Sequence, residues 1–443
     1  MARTAPKLIR YVDLFAGCGG LSEGFEAAGG YRGLAHVEWE EAPCRTLAHR
    51  LGSHWGYPDA ERRVLRADIQ KRKALFAGTK TGEMASHAGL DQLVTEAGGL
   101  DLLIGGPPCQ AYSMAGRVRD EHGMQRDYRN YLFESYLAVV ERYRPSVVLF
   151  ENVPGMLSAR PGGVSIQDRI RDGFRKAGYR IREELRSCLV NAVDFGVPQH
   201  RKRVIIVGVR SEPQGSSALI DAFYGDLRSR VMPTRNSVAD AIGHLARLTP
   251  LRKFERRDGR ILSHACSKDS IEDHVPRFHS KRDQKIFRLL ARDLWRSQPR
   301  YTDVNSLKQL YTAMTGRVSA VHKYHVLRPD EPSNLIPAHL HKDGLRHIHF
   351  DPEQARSITV REAALLQGFP TDFQFLGSQG DKYKMIGNAV PPLMARHLAG
   401  AISTLFKSLS HRTRGGAVRA RASRVADQSS SRRRSVPVCR NRP

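Results

Sequence analysis

Five short apolar runs are separated by amphipathic stretches in the first 210 residues, and this alternation limits the fold more than any other feature. Tyr11–Phe15, Leu34–Val37, Leu100–Ile104, Ser146–Phe150 and Val204–Val209 have the length and continuity of buried strands. A helical stretch begins near Leu21, and Pro43–Leu51 and Asn130–Arg142 also have helical spacing. In the last of these, Leu132, Phe133, Tyr136, Leu137 and Val140 share one face. Strands alternating with helices predict a mostly parallel sheet covered on both faces, a doubly wound α/β fold. Residues 211–350 lose this rhythm and are rich in Arg and His, so a second, smaller domain is expected over 211–355. Alternation resumes at Arg356. A helix is expected over Val360–Gln367, and another from about Pro392 to Leu409 that returns to the first domain, 8–210. Residues 410–443 form a basic, Arg/Ser/Gly-rich tail, expected to be disordered.

In such sheets, ligands collect where strands end, and the residues at those ends carry chemistry. Asp13-Leu14-Phe15-Ala16-Gly17-Cys18-Gly19-Gly20 closes the first strand and opens a helix. Glycines there permit a tight turn and close backbone approach to a ligand. Glu38 ends the next strand 21 residues after Gly17, a position suited to ribose hydroxyls. An ordinary glycine turn or a dinucleotide site would also fit, although Glu23 stands where the third glycine of G-x-G-x-x-G would fall. Gly105-Gly106-Pro107-Pro108-Cys109-Gln110 follows the third run. The rigid lead-in sets one cysteine at the mouth of the sheet. It is either a nucleophile, which needs exposure and a positive setting, or a buried inert thiol. Glu151-Asn152-Val153 ends a further strand. In Gln199-His200-Arg201-Lys202-Arg203, Arg201 and Arg203 should share one strand face opposite His200 and Lys202.

Charge points to a partner. The chain has 71 Lys/Arg against 45 Asp/Glu, net +26, and a pI near 10.2, which favours a polyanion such as nucleic acid. Residues 411–443 hold ten arginines and one acid, and residues 211–350 hold 24 basic against 15 acidic residues, so each supplies +9. Six scattered cysteines without a C-x-x-C pair argue against a disulfide framework and a cysteine-built zinc site. The pairs His339/His341 and His347/His349 would each share a face if extended, with phosphate contact or packing expected before zinc. No apolar run approaches membrane-spanning length, and no secretory leader is seen, so a cytoplasmic, nucleoid-associated protein is expected.

Taken in order, these segments resemble the DNA (cytosine-5)-methyltransferase family: DLFAGCGG its cofactor loop, GGPPCQ its catalytic motif, ENV its glutamate, QHRKR its arginine pair. RSITVREAALLQGFP and YKMIGNAVPP resemble its closing motifs. The resemblance covers Tyr11 to about Arg210 and Arg356 to about Leu405. It implies a Rossmann-like catalytic domain with S-adenosylmethionine as cofactor and double-stranded DNA as partner, no metal, and a monomer. It also implies a restriction–modification role and a target-recognition domain at 211–355. Cys109 would attack cytosine, Glu151 would hold the base and supply a proton, and Arg203 would reach its carbonyl with Arg201 nearby. Phe15, Gly17, Gly19, Glu38, Trp39, Asp68, Ile69, Pro107, Leu132 and Asn388 would bind the cofactor, and Arg129 a phosphate. Residues 71–99 exceed what compact members need. Rival readings are an RNA cytosine methyltransferase on the same scaffold, a non-catalytic DNA-binding homologue and, from the glycine loop alone, a nicotinamide oxidoreductase.

Overall fold

The computed structural model describes residues 8–79, 86–107, 132–212, 215–257, 259–265, 271–321, 323–342 and 344–411. Cys109, Arg129 and the tail therefore lie outside the described residues. Strand β1 (Ile9–Leu14) leads through helix α1 (Gly20–Ala28) to β2 (Tyr31–Glu38), and α2 (Glu41–Ser53) leads to β3 (Val64–Arg66). The chain then crosses back. β4 (Leu102–Gly105) lies on the other side of β1, followed by α3 (Leu132–Tyr143), β5 (Val147–Asn152), α4 (Ile166–Lys176), β6 (Tyr179–Arg180), β7 (Leu189–Asn191) and β8 (Lys202–Arg210).

The sheet order is β3-β2-β1-β4-β5-β8-β6, with β7 also paired to β8. β3, β2, β1, β4 and β5 are parallel. β8 runs antiparallel to β5, β6 and β7. The expected mostly parallel sheet is therefore present, with an antiparallel edge the alternation did not reveal. Chain order reverses between β1 and β4, and a crevice opens there at the carboxyl ends of a doubly wound sheet. Leu14 pairs with both Val37 and Gly105, and Gly105 with Phe150, so Phe15, Glu38, Gly106 and Glu151 emerge along one edge.

Two assignments of chain to domain change. Helix α5 (Ser216–Ser229) falls inside the expected second domain, yet Leu219, Ile220, Phe223, Tyr224 and Leu227 join the core of the sheet. Its apolar face needs a broad partner, and β8 immediately before it provides one. Conversely, residues 358–386 do not return to the sheet. Ile358, Ala363, Leu366, Phe373 and Ile386 pack with Val238, Ile242, Leu327, Ile336 and Leu340 in a second core. Only from Val390 does the chain rejoin the first core, through a helix over 392–411, here α11. Gly24 makes this possible, because a Cβ there would collide with Ala395. The intervening elements are α6 (Val238–Ile242), a two-stranded ribbon of β9 (Pro250–Arg257) and β10 (Arg260–His264), α7 (Lys281–Leu294), α8 (Val304–Thr315), α9 (Val360–Leu366) and α10 (Gln379–Asn388). Among the described residues no helix is long and apolar enough to cross a membrane.

Candidate active site

The crevice at the chain reversal holds a cavity of about 360 Å³. Phe15, Gly17, Glu38, Trp39, Asp68, Ile69, Pro107, Leu132 and Asn388 all line it, as do Glu151 and Arg203. Residues up to 375 positions apart in sequence thus share one space, because strand ends, the start of β8 and helix termini meet at the same edge.

The glycine loop is shaped by unusual backbone. Phe15 has φ +60°, Gly17 φ +57° and Gly19 φ +89°, the left-handed region that L side chains avoid. Gly19 caps α1 and is not among the lining residues. Its missing Cβ leaves room for Leu47, so its role is packing beneath the loop. Gly20, which the sequence reading did not single out, does line the cavity. A Cβ on it would collide with the Val390 carbonyl, so this glycine lets the returning segment close over the loop.

Glu38 holds this loop to β2. Its Oε2 accepts the Gly17 N–H at 2.8 Å, and Oε1 accepts the Trp39 and Glu40 N–H groups at 2.7 and 2.8 Å. Burial pushes the carboxyl up from its ordinary range, and the three donors oppose that shift. These bonds take both lone pairs of Oε1 and one of Oε2, which leaves Oε2 able to accept from a hydroxyl. Asp68 accepts the Gln70 N–H at 2.9 Å. Phe15, Ile69, Pro107 and Leu132 supply apolar walls, and Trp39 is 57% exposed at the rim. Glu40 and Lys384 pair across that rim at 2.6 Å, joining α10 to the end of β2.

Beneath the loop, Asp13 is fully buried and accepts from Ser22 Oγ at 2.6 Å, while Ser22 also meets His36 Nδ1 at 2.9 Å. Burial raises the Asp13 carboxyl to about 7 and lowers His36 to about 3, so both favour their neutral forms. This trio ties α1 to β1 and β2.

At the other end of the cavity, Arg203 Nε meets Glu151 Oε1 at 2.7 Å, with both side chains almost fully buried. The register explains the pair. Ile205 faces Glu151 across the β8–β5 ladder, so Arg203 lies diagonally opposite on the same face, within reach of a long side chain. Gly106 adds to the fit, since a Cβ there would collide with Glu151 Oε2. Pro107 is the last described residue before the segment that holds Cys109.

Arg201 and Arg203 do share a strand face, both buried, while His200 and Lys202 are exposed. Arg201 nevertheless departs from its expected place near the base. Its guanidinium is 1% exposed, donates to Ile336 O at 3.0 Å and Gly387 O at 2.7 Å, and does not line the cavity. Gln199 works beside it: its Oε1 accepts the Ile336 N–H at 3.0 Å, and its Nε2 donates to Gln367 Oε1 at 2.6 Å. Gln367 in turn donates to Ala389 O at 2.7 Å. A buried junction thus joins the strand of Arg203, the middle segment and the residues flanking Asn388. No local spacing in the sequence reveals it.

The two histidine pairs differ: His347 and His349 flank Ile348, which bridges to Val326 and Ser357, whereas the other pair is not extended. His339 and His341 lie in a 3-10 turn, Ala338–His341, and His347 and His349 are buried, with His349 stacked on Phe350. Among the described residues no three His, Cys, Asp or Glu are arranged to hold a metal ion.

Comparison with known proteins places the chain among relatives. The family model described as C-5 cytosine-specific DNA methylase matches residues 9–404. A type II methyltransferase of Bacillus paralicheniformis is 32% identical over 89% of this chain and 98% of its own length. Another, of Haemophilus parahaemolyticus, is 29% identical over 89% of this chain and 86% of its own length. A solved structure described as a DNA modification methyltransferase encoded within an E. coli prophage superimposes with a TM-score of 0.58. It has 21% identity and covers 90% of this chain and 99% of that one, a likeness of fold alone.

Proposed function

The chain belongs to the C-5 cytosine-specific DNA methylase family and is a DNA (cytosine-5)-methyltransferase using S-adenosylmethionine; on that premise we propose that Cys109 is its nucleophile and that cofactor and flipped cytosine meet in the cavity at the β1–β4 crevice. One observation carries the reading: the Glu151–Arg203 pair opens into the same cavity as Glu38 and Asp68.

The lining fits the cofactor. The Phe15–Ile69–Pro107–Leu132 walls suit a flat purine, the Glu38 carboxylate a ribose hydroxyl and Asp68 an exocyclic amine. Asn388 and the start of α1 suit the amino-acid end. When bound, S-adenosylmethionine supplies a sulfonium-activated methyl group.

The protein's own part is to make carbon 5 of cytosine nucleophilic. The Cys109 thiolate adds to carbon 6, and the ring electrons move toward carbon 5. Glu151 supplies a proton at ring nitrogen 3 as charge develops there and holds the exocyclic amine. Arg203, fixed through Nε by Glu151 and through Nη1 by Lys202 O at 2.8 Å, has further N–H groups for the ring carbonyl. Once carbon 5 is methylated, it loses its proton to a base, the Cys109–carbon 6 bond breaks and the aromatic ring returns. The target base must leave the duplex stack for this, because its faces are covered there.

The partner is read as double-stranded DNA approached by a monomer at the nucleoid, which the +26 net charge supports. Likeness to type II methyltransferases supports the modification half of a restriction–modification pair. Target recognition is assigned to the second unit, now drawn from about 238 rather than 211. The test is methyl transfer from labelled cofactor to duplex DNA, with bisulfite sequencing, by the wild type and by Cys109→Ser. Loss of transfer with cofactor binding retained is expected. Normal turnover by Cys109→Ser, or methylation of RNA alone, would overturn the reading.

A further inference from the structure

The ribbon β9–β10 differs from the rest of the described surface in how its charges are held. Elsewhere many arginines sit against acids: Arg10 with Asp101, Arg62 with Glu96, Arg171 with Asp168, Arg292 with Glu353. On the ribbon, Arg252, Lys253, Arg256, Arg257 and Arg260 are all exposed, and among the described residues none has an acidic partner within ion-pair distance. The sequence there holds only two acids, Glu255 and Asp258. Five cations against two acids leave the ribbon with a net charge of +3, and like charges on neighbouring strands repel one another.

The ribbon is also bare. From Arg252 to Arg257 the described strand is exposed on both faces, and Phe254 and Ile261 are 40% and 47% exposed. Phe254 meets Phe278 edge-on at 4.9 Å, with Lys281 Nζ 5.0 Å from its ring. Its base, by contrast, is fixed. His264 Nε2 meets Gln354 O at 2.9 Å, His279 N–H donates to Ser263 Oγ at 3.0 Å, and the Ala265 N–H donates to Thr249 O at 2.8 Å. The result is a rigidly rooted, two-stranded arm carrying unpaired positive charge. A two-stranded ribbon matches the width of the B-DNA major groove, and its cations would displace counterions from the flanking phosphates.

We propose that the β9–β10 ribbon is a DNA-docking arm that grips the duplex through phosphate contacts from these five cations. This rests on the reading of the chain as a DNA methyltransferase and adds to it the element that supplies the grip.

The experiment uses the full chain and a short duplex oligonucleotide of unrelated sequence, with affinity measured as a function of salt. Each cation that meets a phosphate adds about 0.9 to the slope of log affinity against log salt. Replacing Arg252, Arg256, Arg257 and Arg260 together by Gln is expected to lower the slope by about 2 or more. It should raise KM for DNA and leave kcat at saturating DNA within about twofold. The acid-paired control Arg171→Gln/Arg175→Gln should leave the slope unchanged. The double variant Arg256→Gln/Arg257→Gln gives a milder perturbation, and melting curves verify that both variants are folded. An unchanged slope in the folded variants, or a change seen with duplex RNA but not with duplex DNA, overturns the proposal. Failure of the wild type to methylate any cytosine would instead sink the reading of function, and the salt slopes would still judge the arm.

Discussion

Glu151 and Arg203 show how much of this site depends on a single diagonal contact between two antiparallel strands. The pair sits in a nearly dry part of the cavity, where an acid that donates a proton in the transition state is worth about 10²- to 10⁴-fold in rate. Glu151→Gln keeps the shape and the amide can still meet Arg203, but it removes the proton donor. We expect kcat to fall by about that factor while cofactor affinity changes little, read by single-turnover methylation and calorimetry. A variant with near-normal single-turnover rate would leave Glu151 a structural partner of Arg203. Arg201 carries the same charge two residues earlier on the same face, yet its guanidinium serves backbone carbonyls. Identity and spacing alone cannot separate the two roles, since both are set by what packs against each side chain.

Between elements, the decisive contacts lie where the late part of the chain closes on the early part. Gly20 begins α1 directly beneath Val390, which leads into α11. Gly20→Ala would force these apart, and overpacking of this kind costs about 1–3 kcal/mol. Because the same contact roofs the cavity, S-adenosylmethionine affinity should drop by about ten- to a hundredfold, at 1.4 kcal/mol per tenfold. Titration calorimetry that found unaltered affinity would mean the loop adjusts freely. The second closure is the Gln199–Arg201 junction. Arg201→Lys keeps the charge but not the planar fork, so one of the two buried carbonyls at Ile336 and Gly387 loses its donor. A lost bond from a charged donor costs about 1.5–3 kcal/mol. Both stability and cofactor affinity should suffer, because Gly387 precedes Asn388 in the cavity wall. A denaturant midpoint unchanged from the wild type would remove Arg201 from this role.

Across the molecule, the two cores respond differently to acid. His264, His279, His347 and His349 all lie in or beside the second unit, and burial lowers them to about 4, 3, 3 and 3. Held neutral when folded but free to take a proton near 6.5 when unfolded, they contribute stability that is present above pH 6.5 and is lost as pH falls toward 3. Glu362 works lower down. Burial pushes its carboxyl up, but Arg356, buried against it at 2.7 Å, outweighs that and holds it at about 2. Its contribution is present above about pH 4.5 and fades only as pH falls toward 2. The first core has His36 to set against Asp13. Asp13, raised to about 7, acts in the opposite sense and favours the folded state as pH falls. Hydrogen exchange at pH 5 should therefore show residues 238–366 opening before β1–β5. Uniform opening of both units would mean that they unfold as one.

How much of this was legible beforehand follows from the range of the forces involved. Alternating apolar runs act locally, so the parallel sheet, its edge of glycines and carboxylates, and the shared face of Arg201 and Arg203 could be read from the chain alone. So could Glu38, because it ends a strand and strand ends converge in a doubly wound sheet, whereas Phe15, Asp68, Leu132 and Asn388 follow only from the resemblance to the methyltransferase family. The antiparallel turn of β8 could not be read, nor the use of α5 as a sheet cover or the second core shared by 238–340 and 358–386. Each depends on which apolar face finds which partner across more than a hundred residues, and a helix face carries no address. The same holds for Arg201 and for the ribbon's five cations. Their residue types were visible in the sequence, but whether a charge is buried against carbonyls, paired with an acid or left facing solvent is decided only when distant segments meet.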